Sequence, residues 1–142
     1  MANIQLCTFH VGPLFLGVEV IKVQEVLRYL RLTRVPLASS VVRGLINLRG
    51  QIVTAIDLRR RLGLPDRAGD APPTNVVVRT DEGAVSLLVD DVHDVVDVSE
   101  DVFERPPETL RGPARELVLG AYKLPTGLLL HLHVDRVVNL SP

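Results

Sequence analysis

His131 and His133 stand two residues apart in the apolar run GLLLHLHV, so on a strand their imidazoles share a face, one way to present two metal ligands. A zinc site needs three or four ligands, and spacing places no third, so the pair reads as exposed or partner-facing and no metal is expected. Cys7, the sole cysteine, keeps company with Leu6 and Phe9 and reads as a small buried hydrophobe rather than a nucleophile. It can form neither an intrachain disulfide nor a zinc cluster, which fits a reducing compartment. His10 and His93 are isolated and read as surface or satisfied core residues. The acidic residues Asp90, Asp91, Asp94, Asp97, Glu100 and Asp101 are interleaved with valines instead of alternating as oxygen ligands around a glycine, which marks a solvated or partner-facing face rather than a calcium loop. The chain has no GxSxG, phosphate-binding glycine loop or HExxH, and offers no set of nucleophile, base and orienter. It reads as a non-enzyme without a cofactor.

The arginines remain. Arg59, Arg60 and Arg61 form a basic run that a small barrel might turn toward single-stranded nucleic acid, but such surfaces need stacking aromatics and the nearest is Tyr29. On a helix the three point in different directions, with Leu58 and Leu62 facing the core, so a solvated or protein-facing helix is favoured. Nucleic-acid binding stands as the alternative function. Arg49 sits before Gly50 at what reads as a tight turn, with Gly50 supplying a backbone conformation that other residues resist.

Positioning these side chains requires mainly strands. Leu45, Ile46 and Leu48 before the turn and Ile52, Val53, Ala55 and Ile56 after it predict a hairpin with mostly buried arms. Asp57 then stands where a helix N-cap would, ahead of Leu58 to Leu62, and Gly63 and Pro65 stop that helix. Ile4 to Val11 and Leu14 to Val20 predict an earlier hairpin turning at Gly12-Pro13. Val23, Val26 and Leu27 have helix-like spacing, so Ile21 to Leu27 is expected as a short helix or turn, leading into an extended Arg28 to Leu37. After a linker, PDRAGDAPPT, strands are expected at Asn75 to Arg79, Ala84 to Val89, Leu117 to Leu124 and Leu128 to Val134. Ser99 to Gly112 reads as an irregular connection, and the tail from Asp135 as a brief helical start.

Sliding the halves by 69 residues lays Leu16–Leu27 over Val85–Val96, with branched apolar residues coinciding at 18/87, 20/89, 23/92, 26/95 and 27/96. Gly44–Leu58 resembles Gly120–Arg136 if two single-residue insertions are allowed. A duplicated small β-barrel explains the pattern, because four or five short strands need closure to protect their edges. In 142 residues, 46% hydrophobic but with no tryptophan, Val, Leu and Ile must fill the core, which favours an all-β fold in one compact unit. The start lacks a secretory signal and no eighteen apolar residues run together, so a cytoplasmic chain without direct membrane insertion is expected. Residues 1 to 65 carry nine basic and three acidic residues, a charge of +6, and residues 66 to 142 carry seven and fourteen, a charge of −7. Such polarity suits a piece that meets different partners with its two ends.

Leu16–Arg28, Leu32–Pro65 with its NLRG and IDLRRRLG, Leu87–Leu110 and Gly120–Val138 together resemble the CheW family of chemotaxis coupling proteins over essentially the whole chain. The resemblance implies one CheW-like domain over residues 1–142, built of two packed five-stranded Src-homology-3-like β-barrels with short helices. The first barrel corresponds to residues 1–65 and the second to residues 75–140. Whether terminal strands cross between the barrels is left open. It further implies a cytoplasmic adaptor recruited to membrane receptor arrays. Such an adaptor couples the cytoplasmic tips of chemoreceptors to the regulatory domain of the histidine kinase CheA, and packs with other CheW-like domains in rings. A receptor groove carried over residue by residue falls on Val23, Gly44, Arg49 and Thr74, with Glu25 beside it and Gly50 as a structural turn. The second copy has Pro125-Thr126-Gly127 where the first has Arg49-Gly50, so the barrel turn does not itself demand the arginine.

Overall fold

A computed structural model describes residues 3–36, 38–69 and 71–140. Alternating apolar residues form β1 (Asn3–Val11) and β2 (Leu14–Glu19), a hairpin turning at Gly12 and Pro13. A 3₁₀ turn over Val20–Lys22 opens the stretch expected as a short helix or turn, but its remainder is β3 (Val23–Leu27), a strand. The reason is a bulge: the pairing of β3 slips between Val23 and Glu25, and one extra residue in a strand makes its apolar positions recur at three instead of two. The extended stretch expected next ends on Leu37, which lies outside the described residues.

The expected hairpin follows as β4 (Val42–Leu48) and β5 (Gln51–Asp57), running straight into α1 (Leu58–Arg61). Asp57 caps that helix, its carboxylate accepting the Arg60 N–H at 3.2 Å. After the linker come β6 (Thr74–Thr80), β7 (Gly83–Val89) and β8 (Asp91–Ser99). The valine-rich acidic run is therefore itself a strand. Ser99 to Gly112 is more ordered than expected, holding a 3₁₀ turn over Glu100–Val102 and β9 (Phe103–Glu104). The chain closes with α2 (Pro113–Glu116), β10 (Val118–Leu124), β11 (Gly127–Leu132) and α3 (Val134–Val138).

The strands make two sheets, ordered β3-β6-β7-β5-β4 and β8-β1-β2-β11-β10-β9. Each half of the chain lends its first hairpin to the other half's sheet: β1-β2 lies between β8 and β11, and β6-β7 between β3 and β5. The two joining pairs, β2 with β11 and β7 with β5, are the parallel ones. An offset of 69 carries β1, β2 and β3 onto β6, β7 and β8, and an offset of 76 carries β4, β5 and α1 onto β10, β11 and α3. The second offset is constant from Gly44/Gly120 through Asp57/His133, so the two insertions allowed in the sequence comparison are not needed. His133 repeats the cap of Asp57, accepting the Arg136 N–H on Nδ1 at 3.3 Å.

Each sheet curls until its ends meet. In one, the chain beyond β3 returns to β4, where Thr33 and Leu45 exchange backbone hydrogen bonds of 2.8 Å. In the other, the chain beyond β8 returns as β9 to pair with β10. Ile46, Leu48, Val53, Ala55, Val77 and Leu88 fill the first barrel, and Leu6, Val98, Tyr122 and Leu129 the second. The largest apolar cluster lies between the barrels, with Phe9, Leu16, Ile56, Leu58, Leu87 and Val134 all fully buried. Burying such side chains contributes roughly 1.5–3 kcal/mol each, so the shared layer holds the barrels together.

Candidate functional site

The hairpin of β4 and β5 closes on two residues, since Leu48 pairs with Gln51. Arg49 and Gly50 have φ of +52° and +87°, the doubly left-handed turn that matches the twist of flanking strands. Asn47 braces it, its Oδ1 accepting the Gly50 N–H at 2.8 Å. Asparagine or glycine usually holds the Arg49 position, and among the described residues Arg49 is the one non-glycine with positive φ. The backbone cost, about 1 kcal/mol or more, goes into holding an arginine at the tip.

The guanidinium of Arg49 forms an ion pair with the Glu25 carboxylate on β3. β3 and β4 are the two ends of their sheet, so the pair spans the closure of the barrel. The Arg49 side chain is 68% exposed and that of Glu25 19%, which leaves most of the guanidinium open to a further partner. Val23, two residues before Glu25, is half-buried against the apolar layer between the barrels. Gly44 lies five residues back along β4, about 16 Å of strand from the tip. There it has φ of +152° and faces the Thr33 carbonyl, so a side chain would collide with backbone. Thr74 opens β6 opposite Val89, three residues, or about 10 Å, from Val77, the partner of Glu25. Arg49, Gly50 and Glu25 thus come together with Val23 close by, while Gly44 and Thr74 occupy separate stations on the same sheet.

The basic run is tied to its own protein. Arg59 grips Asp90 with two parallel hydrogen bonds of 3.0 and 2.7 Å and donates to the Pro65 carbonyl; Arg60 grips Asp66 at 2.9 and 3.0 Å; Arg61 donates to the carbonyls of Arg136, Val137 and Asn139. Asp90, counted in the sequence among solvated acids, also accepts the Gly12 N–H at 2.7 Å. Nothing local signals this partnership, because Arg59 and Asp90 are far apart in the chain and meet only when β7 enters the first barrel's sheet.

The histidine pair separates. His131, on β11, is buried with its Nε2 3.6 Å from Glu19, whereas His133 lies past the strand end as the α3 cap. They do not present a common face to a metal, and among the described residues no group of three or more His, Cys, Asp or Glu is placed to hold one. Burial pushes the His131 imidazole below its usual pKa, opposed by Glu19 and helped by Lys22 and His133. With the folded value below the unfolded one near 6.5, the stability from keeping His131 neutral is complete above that pH and is lost as pH falls through the folded value. His131→Gln should therefore flatten the fall of stability below about pH 6.5. Urea midpoints measured across that range check this, and an unchanged acid limb would contradict it.

His10 and His93, isolated in the sequence, meet across β1 and β8 with ring nitrogens 2.6 Å apart, and His10 stacks on Phe15. Cys7 is buried, and burial raises its thiol pKa, which suits an inert core residue. Among the described residues no helix is long and apolar enough to cross a membrane.

Comparison with known proteins gives one answer by three routes. The family model described as "CheW-like domain" matches residues 5–141. The chemotaxis protein CheW of Treponema pallidum is 26% identical over 139 residues, covering 95% of this chain and 82% of that protein. That of Bacillus subtilis is 31% identical over 104 residues, covering 73% of this chain and 67% of the relative. The crystal structure of the scaffolding protein TtCheW from Thermoanaerobacter tengcongensis has this fold, with a TM-score of 0.88 over 99% of this chain and 95% of the other at 24% identity.

Proposed function

The chain belongs to the CheW family of chemotaxis proteins, and from that premise we propose that it is a non-catalytic adaptor coupling chemoreceptor cytoplasmic tips to the regulatory domain of the histidine kinase CheA. It works in the cytoplasm at membrane receptor arrays, as a single unit of two barrels that also meets other CheW-like domains in rings. The observation that carries the reading is Arg49, an arginine held at a strained hairpin tip with most of its guanidinium exposed. Val23, Glu25, Gly44 and Thr74 belong to the receptor-binding face on this reading. Arg49 and Glu25 supply charge-assisted recognition, Val23 an apolar contact, and Gly44 and Gly50 the backbone shape.

Titration with a chemoreceptor tip and with the CheA regulatory domain should show binding to both, and well-folded protein that bound neither would defeat the proposal. Arg49→Ala should weaken receptor-tip affinity by about tenfold, or about 1.4 kcal/mol. Its unfolding free energy should move by less than about 1 kcal/mol, since exposed ion pairs contribute little. A large loss of stability with unchanged affinity would make the arginine a purely structural clasp.

A further inference from the structure

On the first barrel, away from the Arg49 tip, a cleft of about 1090 Å³ opens between the loop before β4, the linker after α1 and the end of β7. Among the described residues, five arginines and three aspartates line it. The aspartates are already engaged: Asp57 by Arg43 at 3.1 Å, Asp66 by Arg60 and Asp90 by Arg59. Two cations are left over, Arg34 and Arg67, for which the described residues supply no hydrogen bond or ion pair. The Nη1 of Arg67 is buried without an acceptor, a costly condition for a guanidinium in a folded protein.

A buried donor without a partner, beside the exposed Arg34 and an excess of positive charge, calls for oxygen acceptors from outside. Phosphate sites draw heavily on backbone N–H groups, and Pro36, Pro72 and Pro73 in the walls have none to give. A nucleic-acid strand needs stacking rings, and the wall offers Tyr29 alone. Side-chain carboxylates match the fork of an arginine, and the apolar surface between the arginines, from Val35, Ala38 and the prolines, suits a chain that alternates acidic and aliphatic residues. The volume exceeds that of an ordinary small-molecule site of roughly 300–1,000 Å³ and admits an extended peptide. We propose that this cleft is a second docking site, taking an acidic, aliphatic-interleaved peptide segment of a protein partner through Arg34 and Arg67.

The test uses the full chain and a labelled peptide of about twelve residues repeating Glu-Glu-Leu, titrated at low and high salt, with inorganic phosphate and oligothymidine as separate arms. The peptide should bind at low salt and weaken as salt rises. Arg34→Gln with Arg67→Gln should weaken it about tenfold without lowering the melting temperature, because the described residues give neither side chain a hydrogen bond or ion pair to lose. Arg49→Ala should leave it unchanged, which separates this site from the proposed receptor face. Absence of peptide binding, indifference to the double substitution, or equal binding of phosphate or oligothymidine would each overturn the proposal.

Discussion

Alanine at Gly120 should cost the fold about 3 kcal/mol or more. A Cβ there would overlap the Glu104 carbonyl oxygen and the Phe103 ring, where β9 comes back to close the second barrel. A flexible side-chain tip could move aside; a backbone carbonyl paired in a sheet cannot, so the closure itself must open. Gly44→Ala meets the same obstruction at the Thr33 carbonyl in the first barrel, and adds the strain of φ at +152°. Both losses should appear in chemical denaturation, and either variant within about 1 kcal/mol of the parent would show that closure tolerates displacement. Because Gly44 both clears the Thr33 carbonyl and shapes the proposed receptor face, the receptor affinity of its alanine variant should be compared only under conditions where that variant remains folded.

The second large effect concerns Asp90. Its side chain is 13% exposed and that of Arg59 is 19%, so this bidentate pair is mostly withdrawn from water. Asp90→Ala strands the Arg59 guanidinium and the Gly12 N–H together and should cost about 2–3 kcal/mol. Replacing both partners, Arg59→Met with Asp90→Leu, should recover part of that loss, since no unpaired charge remains. A double variant as damaged as the sum of the single ones would rule out direct coupling. The pair also leaves a mark on acid stability. Burial by itself would raise the Asp90 pKa, but the hydrogen bonds from Arg59 and Gly12 and the nearby guanidinium charges overcome it and hold the carboxyl below its usual 3.8. With the folded value lower than the unfolded one, this stabilisation is present above the unfolded pKa and disappears as pH falls through the folded one. Asp90→Asn should therefore unfold less steeply than the parent below about pH 4, although it starts from lower stability.

Features written in consecutive residues were readable from the sequence. The β4-β5 hairpin, the Asp57 cap and the Gly12-Pro13 turn each depend on neighbours within a few positions, and each is found where local chemistry put it. The misreadings have physical causes as well. A bulge turned the period of β3 from strand-like to helix-like, and β8 hid because it is an edge strand whose outward face is acidic and whose pattern is broken by exposure. By composition Asp90 belongs with Asp91 and Asp94, whereas burial and a distant arginine make it a different kind of residue. His131 and His133 share a parity along the chain, but the strand ends between them, and parity counts only inside a strand. Of the residues expected at the binding face, Glu25 and Arg49 are joined by opposite charge across a closure that no single stretch of sequence reveals.

The exchange of hairpins governs the order in which the protein can be made. As the chain leaves the ribosome, its first 65 residues contain β3, β4 and β5 but not the β6-β7 hairpin that lies between them in the sheet. The first barrel cannot be completed until Val89 has emerged. The second requires β2, already paired with β1 in their hairpin, to keep its other edge open for β11 until residue 132 is available. Neither barrel is a nascent folding unit, and their non-local pairings place assembly late and make it slow for a chain of this size.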